Sequence, residues 1–123
     1  MDPAASPTGA PADSIQPVDG FFAYDLRVGT VVAAGVNAGA RAPALVLTLD
    51  FGPLGSRTTS AQLTRRYAPE TLVGRQVVAV VNFPPKRIGG VRSEVLVLGG
   101  LPGEGDVVLL GPDALVPNGT RIG

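Results

Sequence analysis

The stretch Ala44-Leu-Val-Leu-Thr-Leu-Asp-Phe51 alternates between apolar and polar side chains over most of its length. Every second residue from Leu45 is large and apolar, namely Leu45, Leu47, Leu49 and Phe51. Thr48 and Asp50 fall on the opposite face of an extended chain. Alternation with period two is typical of a β-strand that buries one face. The stretch therefore predicts a half-buried strand in a β-sheet.

Further strands are predicted on both sides of this stretch, at Leu26–Ala34, Gln76–Asn82, Glu94–Leu98 and Asp106–Leu110. The last three are nearly continuous apolar runs rich in valine and leucine. Such runs are typical of strands covered on both faces, or of barrel strands whose outer face packs against a partner. Turn signals separate the strands at Gly52–Gly55, Gly89–Gly90, Pro102–Gly105 and Pro117–Gly119.

One segment, Leu63–Gly74, lacks this alternation and predicts a short broken helix. Pro69 and Glu70 suit a first helical turn, and Gly74 suits the end of a helix. Strands, a helix and then more strands is the order of an OB-fold barrel, in which the helix closes one end. We therefore predict an all-β fold, a five-stranded OB-fold barrel with a short helix and extra C-terminal strands. A β-sandwich is the alternative.

The composition argues against catalysis and metal binding. The chain has 123 residues, enough for one domain, with 17 Gly and 12 Pro that suit short strands and tight turns. It contains no His and no Cys. Both the commonest general base and the preferred zinc ligands are therefore missing. We expect no catalytic residue, no metal and no cofactor.

The first 19 residues differ in composition from the rest of the chain. They contain four Pro, several small residues and three Asp but no basic residue, which predicts a disordered tail over 1–19 and a domain over 20–123. The apolar runs are far shorter than the ~20 residues that span a bilayer, and the N-terminus does not resemble a signal peptide. We therefore expect no membrane insertion and a cytoplasmic location.

Positive charge is concentrated in the middle of the chain. Between Arg57 and Arg92 lie seven basic residues and one acid, Glu70, whereas from Ser93 onward four acids face Arg121 alone. Without the tail, ten basic and seven acidic residues give a net charge of +3. A basic middle third favours a ligand that carries negative charge.

Several segments resemble the tRNA-binding-domain family, and within it the CsaA branch of small export-related chaperones. They are Asp25-Leu-Arg-Val-Gly-Thr-Val-Val32, Ser60-Ala-Gln-Leu-Thr-Arg-Arg-Tyr67, Val80-Val-Asn-Phe-Pro-Pro-Lys-Arg-Ile-Gly89 and Ser93-Glu-Val-Leu-Val-Leu-Gly99. The resemblance extends from Phe21 to Gly123. It implies an OB fold and a homodimer without cofactor that binds unfolded or signal-bearing polypeptides (preproteins) without ATP, with the export motor as a further partner.

Other members of the family bind tRNA through an Asn-x-Lys-x-x-Lys loop followed by Ser-x-Gly-Met. Asn82 and Ser93 match this pattern, but Pro84 replaces the first Lys and Val95-Leu96 replaces Gly-Met. These departures favour the chaperone branch. A trans-acting tRNA-binding protein that uses the same basic loop is the alternative, with weak and salt-sensitive affinity.

The loop Asn82–Arg92 is the strongest candidate site. Pro84 and Pro85 stiffen it, and its charges could form a cationic rim for phosphates or acidic peptide groups. The candidate residues for peptide or tRNA binding are Arg65, Arg66, Asn82, Lys86, Arg87, Arg92 and Ser93. The alternatives are an ordinary solvated turn and, for Arg65 and Arg66, the exposed face of the short helix.

The aromatic cluster Phe21, Phe22 and Tyr24 is a candidate dimer contact, or else it fastens the start of the domain to the barrel. The outer faces of Val77–Val81, Val95–Leu98 and Val107–Leu110 carry few polar residues. Because a single small barrel has no second layer to cover them, we expect a two-fold partner.

Overall fold

The structure is a computed structural model, and it describes residues 14–123 of the chain. The short helix α1 is Val18–Phe21, and the strands are β1 (Leu26–Val36), β2 (Leu45–Asp50), β3 (Ser56–Ala61), β4 (Gln76–Val80), β5 (Lys86–Ile88), β6 (Val91–Ser93), β7 (Leu96–Val97), β8 (Gly99–Gly103) and β9 (Asp106–Leu109). Most of the predicted tail, residues 1–13, lies outside the described residues, so the boundary at 19 stays a prediction.

Five strands form one antiparallel sheet in the order β3-β2-β1-β4-β7, and β5-β6 and β8-β9 form two small hairpins. The long strand β1 pairs with β4 through its first half and with β2 through its second half. The pairing of β1 with β2 shifts between Val31 and Ala33, and such a bulge increases the local bend and twist of a strand. The sheet therefore curls into a nearly closed barrel, and the predicted all-β OB-type fold is confirmed.

The predicted alternation in β2 decides what fills the barrel. Leu45, Leu47 and Leu49 are all 1% exposed or less, and Phe51, which follows β2, is fully buried with them. A Cβ atom on Gly29 in β1 would lie 2.7 Å from the Phe51 ring, so this ring requires glycine opposite it. The segment Leu63–Gly74 covers one end of the barrel as turns and a 3₁₀ helix, Pro69–Thr71.

The C-terminal segment corrects one of our expectations. It runs along β1, where Val28 N–H donates to the Thr120 carbonyl (2.9 Å) and Ile122 N–H donates to the Leu26 carbonyl (2.9 Å). Its apolar side chains Val116 and Ile122 pack on a second buried cluster, formed by Leu26, Val28, Val78 and Val80. The outer face of β4 is therefore covered within the chain, and a two-fold partner is not needed there. Leu96 and Leu110 remain about half exposed.

Candidate functional site

The loop between β1 and β2 (residues 37–44) and the β5-β6 hairpin enclose a hollow of about 520 Å³, here called the basic depression. Arg41 from the loop and Lys86 and Arg87 from the hairpin line it, and all three side chains are exposed. Within residues 14–123, none of the three has a carboxylate within 4.0 Å. Arg87 Nη1 donates to the Gly90 carbonyl (2.9 Å), which does not compensate its charge. Cations without an acidic partner are available to an anionic ligand.

Two adjoining hollows lie between β3 and the β7-β8 segment, share Ser60 and Leu96 on their walls, and are here together called the apolar groove. Its first part, about 240 Å³, has Phe83, Ile88 and Leu96 on its walls, and its second part, about 360 Å³, continues past Leu96 to Leu101 and Val107. Leu96 and Leu101 both line the larger of these hollows and are 51% and 77% exposed. Neighbouring exposed leucines form an apolar patch of the kind that marks an interaction site. The groove is open and apolar enough to take side chains from another polypeptide.

The basic depression and the apolar groove share a wall. Ser60, Lys86 and Ile88 line both hollows, so β5 separates them by the width of one strand. Lys86 therefore stands on the rim of the groove as well as in the depression. A ligand in the groove would have positive charge at one end.

Ser93 and Glu94 join β3 to the chain leading into β7. The Ser93 hydroxyl accepts from Ser60 N–H (3.0 Å) and shares a hydrogen bond with the Thr59 hydroxyl. Glu94 Oε1 accepts from Thr58 N–H (2.9 Å), and Glu94 N–H donates to the Thr58 carbonyl (2.8 Å). Ser93 is only 9% exposed, so its hydroxyl holds the groove wall in place.

Asn82 anchors the chain that enters the barrel. Its side-chain carbonyl accepts from Asp25 N–H (2.9 Å), and its Nδ2 donates to the Ala23 carbonyl (2.9 Å). This contact places the Tyr24 ring edge-on to the Phe83 ring, with centroids 5.8 Å apart. The structure therefore brings a second aromatic side chain to the basic loop, although the two rings are distant in sequence.

Arg65 and Arg66 lie apart from the basic depression, against the β8-β9 hairpin. Arg66 makes two hydrogen bonds to Asp106, from Nε to Oδ1 (2.5 Å) and from Nη2 to Oδ2 (2.9 Å). Arg65 donates to the Glu104 carbonyl (2.9 Å). The hydrogen bond from Arg66 holds the pKa of Asp106 below its usual value, because it stabilises the carboxylate.

The remaining predicted residues divide in a similar way. Arg92 lies 3.7 Å from Glu94 with a mostly exposed side chain, so its charge is partly compensated. Phe21 and Phe22 stack edge-on at 5.3 Å and stay 42% and 49% exposed.

Sequence reasoning missed Arg41, which lies in the β1-β2 loop. The predicted OB fold could have identified this residue, because OB folds bind ligands with this loop and with the loop between their last two barrel strands.

The fold and these surfaces define a binding domain of the OB type. Residues 26–121 match the family model described as "Putative tRNA binding domain", and the chain belongs to this family.

Two solved chaperone structures are similar to the whole described domain. The chaperone CsaA of Bacillus anthracis is 55% identical with a TM-score of 0.85, covering 89% of this chain and 100% of that one. The CsaA chaperone of Picrophilus torridus is 38% identical with a TM-score of 0.81 and the same coverage. The predicted resemblance to the CsaA branch is therefore confirmed.

The chain is also similar to part of methionine–tRNA ligases. The ligase of Methanothrix thermoacetophila is 45% identical over 106 residues, which are 86% of this chain but 15% of that protein. The matching family describes a binding domain rather than a reaction. Among residues 14–123, no helix is both long enough and apolar enough to cross a membrane.

Proposed function

We propose that this protein is a homodimeric chaperone that binds unfolded or signal-bearing polypeptides without ATP, in the apolar groove. The observation that carries the proposal is a continuous hollow lined by exposed leucines, Leu96 and Leu101, beside the edge of a β-sheet. The similarity to two CsaA chaperones over the whole domain supports it. A role in export, contact with the export motor and a cytoplasmic location belong to the same proposal.

The edge of β3 supports an extended conformation for the bound polypeptide. Toward one end, this edge is occupied by the hydrogen bonds to Ser93 and Glu94. Beyond them, the Ser60 carbonyl lies on the same side of β3 as the Ser60 N–H, which donates to Ser93, and therefore points away from β2. An extended peptide that adds to a sheet edge gains main-chain hydrogen bonds there, while alternate side chains enter pockets. In this arrangement Leu96 and Leu101 would contact the apolar side chains of the peptide.

The proposed dimer is supported by the apolar residues that stay exposed on a single copy. Phe21, Phe22 and Tyr24 are between 42% and 49% exposed although they are large aromatic side chains. A second copy that covers this cluster would remove it from water, and two-fold pairing is the commonest way to do so. Sedimentation velocity at micromolar concentration is expected to give a dimer. A monomer under these conditions would overturn the dimer proposal.

A second candidate function, tRNA binding, is favoured by a specific observation: among the described residues the cations of the basic depression have no carboxylate within 4.0 Å. Arg41, Lys86 and Arg87 lie on the two loops that OB folds use for oligonucleotides. Tyr24 and Phe83 lie close to the same loop and could stack on a base, a contact worth about 1–3 kcal/mol. The affinity is expected to be weak and to fall steeply with salt, because few charges are involved.

Titration of both ligands at two salt concentrations separates the two candidates. We expect a permanently unfolded polypeptide to bind with little dependence on salt, and added ATP to leave its affinity unchanged. Apolar contacts are not screened by ions, whereas phosphate contacts are. Tight tRNA binding with a steep salt slope and no polypeptide binding would overturn the chaperone proposal and favour the second candidate.

A matched pair of substitutions tests the groove itself. Leu101→Ser removes an exposed leucine from the groove, whereas Leu115→Ser removes an equally exposed one (84%) outside it. Burying a leucine side chain is worth about 1.5 kcal/mol or more, which corresponds to about tenfold in affinity. We therefore expect Leu101→Ser to weaken polypeptide binding about tenfold and Leu115→Ser to leave it unchanged. Equal affinities would show that the polypeptide binds elsewhere.

A further inference from the structure

The side chain of Asn37 is buried between the two loops that enclose the basic depression. It is 5% exposed, and its Nδ2 donates both to the Ser60 hydroxyl (2.9 Å) and to the Ile88 carbonyl (3.0 Å). Its Oδ1 accepts from Gly39 N–H (3.3 Å). One amide thus connects the β1-β2 loop, the strand β3 and the β5-β6 hairpin. A buried amide with its hydrogen bonds made fixes the groups around it, because breaking any one of them leaves an unpaired polar atom.

The two loops also touch directly, at a point that only glycine permits. A Cβ atom on Gly39 would lie 2.6 Å from the Gly89 carbonyl oxygen, and one on Gly89 would lie 2.5 Å from the Ala40 nitrogen. Gly89 in addition has a φ of +56°, which other residues rarely adopt. The loop and the hairpin are therefore as close as two backbones can be. We call Asn37, Gly39 and Gly89 together the clasp.

The clasp determines where the cations of the basic depression stand. Arg41 lies two residues after Gly39, and Lys86 and Arg87 lie three and two residues before Gly89 in the hairpin. With no carboxylate within 4.0 Å among the described residues, no ion pair in this part of the chain holds their charged ends. Arg87 Nη1 donates to the Gly90 carbonyl (2.9 Å), which is itself a backbone group of the hairpin. The positions of the three cations therefore depend on the backbones of the loop and the hairpin.

We infer that the clasp positions the three cations for the phosphates of a bound RNA, so that residues which touch no phosphate set the affinity and salt dependence of binding. The inference rests on the second candidate function, tRNA binding. A ligand with phosphates at fixed spacing binds best to charges that already stand at that spacing, since less conformational entropy is lost on binding. Asn37, Gly39 and Gly89 are thus positioning residues.

Neighbouring glycines in the hairpin supply a matched test. Gly89 and Gly90 both have a positive φ, +56° and +82°, so alanine strains the backbone at either position. A Cβ on Gly90, however, meets nothing within 4 Å, whereas one on Gly89 meets the β1-β2 loop. Gly89→Ala therefore opens the clasp and Gly90→Ala does not. Neither substitution changes a charge, so any change in salt slope reports where the cations stand.

The experiment measures the binding of bulk tRNA at two salt concentrations, with the melting temperature of each variant. We expect Gly89→Ala and Asn37→Ala to weaken binding about tenfold and to reduce the salt slope by about one to two. Gly90→Ala keeps the main-chain carbonyl that accepts from Arg87 and should bind as the wild type does. If Gly89→Ala does not fold, Gly39→Ala replaces it, with Gly35→Ala as its control, because a Cβ on Gly35 meets nothing within 4 Å.

The outcomes separate the inference from the function on which it rests. A wild-type protein that does not bind tRNA overturns the second candidate function and, with it, the ligand assigned to the clasp. A wild-type protein that binds tRNA while the Gly89→Ala and Gly90→Ala variants bind equally well overturns the inference alone. Unequal affinities with unequal salt slopes support both.

Discussion

Two groups of basic side chains lie on this barrel, and they differ in what surrounds them. Arg65 and Arg66 are held against the β8-β9 hairpin, where the Glu104 main-chain carbonyl accepts from Arg65 and the Asp106 carboxylate accepts from Arg66. Arg41, Lys86 and Arg87 face the basic depression, where the described residues offer them no carboxylate within 4.0 Å.

This difference shows that the number of positive charges in a segment does not locate a binding site. An arginine that is already paired with a buried carboxylate, as Arg66 is with Asp106, gains little from an anionic ligand, because the ligand must replace that carboxylate. A cation without a carboxylate partner has no such ion pair to lose, and Arg87 has only one hydrogen bond, from Nη1 to the Gly90 carbonyl (2.9 Å). Arg66 is therefore compensated within the chain, whereas the second group combines uncompensated charges with a hollow that can hold a ligand.

The largest effect is expected from removing two cations of the unpaired group. Lys86→Ala combined with Arg87→Ala should reduce tRNA affinity by about tenfold to a hundredfold at low salt and lower the salt slope by about two. The melting temperature should change little, because both side chains are exposed. Filter binding and thermal unfolding measure the two quantities.

A control variant removes the same charge elsewhere. Arg57→Ala combined with Arg65→Ala also removes two positive charges, but neither residue lines the basic depression. Its tRNA affinity should therefore stay close to that of the wild type. If both double variants lose affinity equally, the net charge rather than the depression governs binding.

The paired group should respond in the opposite way. Arg66→Ala leaves the carboxylate of Asp106, which is 8% exposed, without its partner. Removing one partner of such a pair destabilises a protein more than the pair itself stabilises it. We expect the melting temperature to fall by several degrees and polypeptide and tRNA binding to stay unchanged. An unchanged melting temperature would contradict the structural role that we assign to this pair.

Much of the barrel could be predicted because its apolar strands carry their pattern locally. The strands β1, β2 and β4 were all found from runs of apolar residues or their alternation. Strand β3, Ser56–Ala61, was missed because its sequence is polar on both faces. It lies at the edge of the sheet, where polar side chains are common. The small β5-β6 hairpin was missed for the same reason, since its three-residue strands are mostly exposed.

The site could be predicted only in part, because hydrogen-bond partners are set by the tertiary structure. Lys86 and Arg87 do line the basic depression. Asn82 and Ser93 matched a family pattern, yet their side chains are hydrogen-bonded to chain segments at least 33 residues away. No local pattern shows which side chains are bound internally. Arg41 joins the depression only because the barrel brings its loop beside the β5-β6 hairpin.

Acid should remove the contribution of the Arg66–Asp106 pair to the stability of the fold. Since the pKa of Asp106 is lowered by the hydrogen bond from Arg66, its contribution to stability is present above its unfolded pKa of about 3.9. It is lost as the pH falls through the lower folded value. The difference in melting temperature between the wild type and Arg66→Ala should therefore shrink below about pH 4. A difference that is the same at pH 7 and pH 3 would contradict this assignment.

The smallest effect is expected from the other member of the paired group. Arg65 is exposed and its contact is a single hydrogen bond to the Glu104 carbonyl, on the exposed tip of the β8-β9 hairpin. Because water can replace such a contact, Arg65→Ala should change the free energy of unfolding by no more than about 0.5 kcal/mol. Denaturant titration beside Arg66→Ala measures this. If Arg65→Ala were as destabilising as Arg66→Ala, the buried carboxylate of Asp106 would not be the reason that Arg66 stabilises the fold.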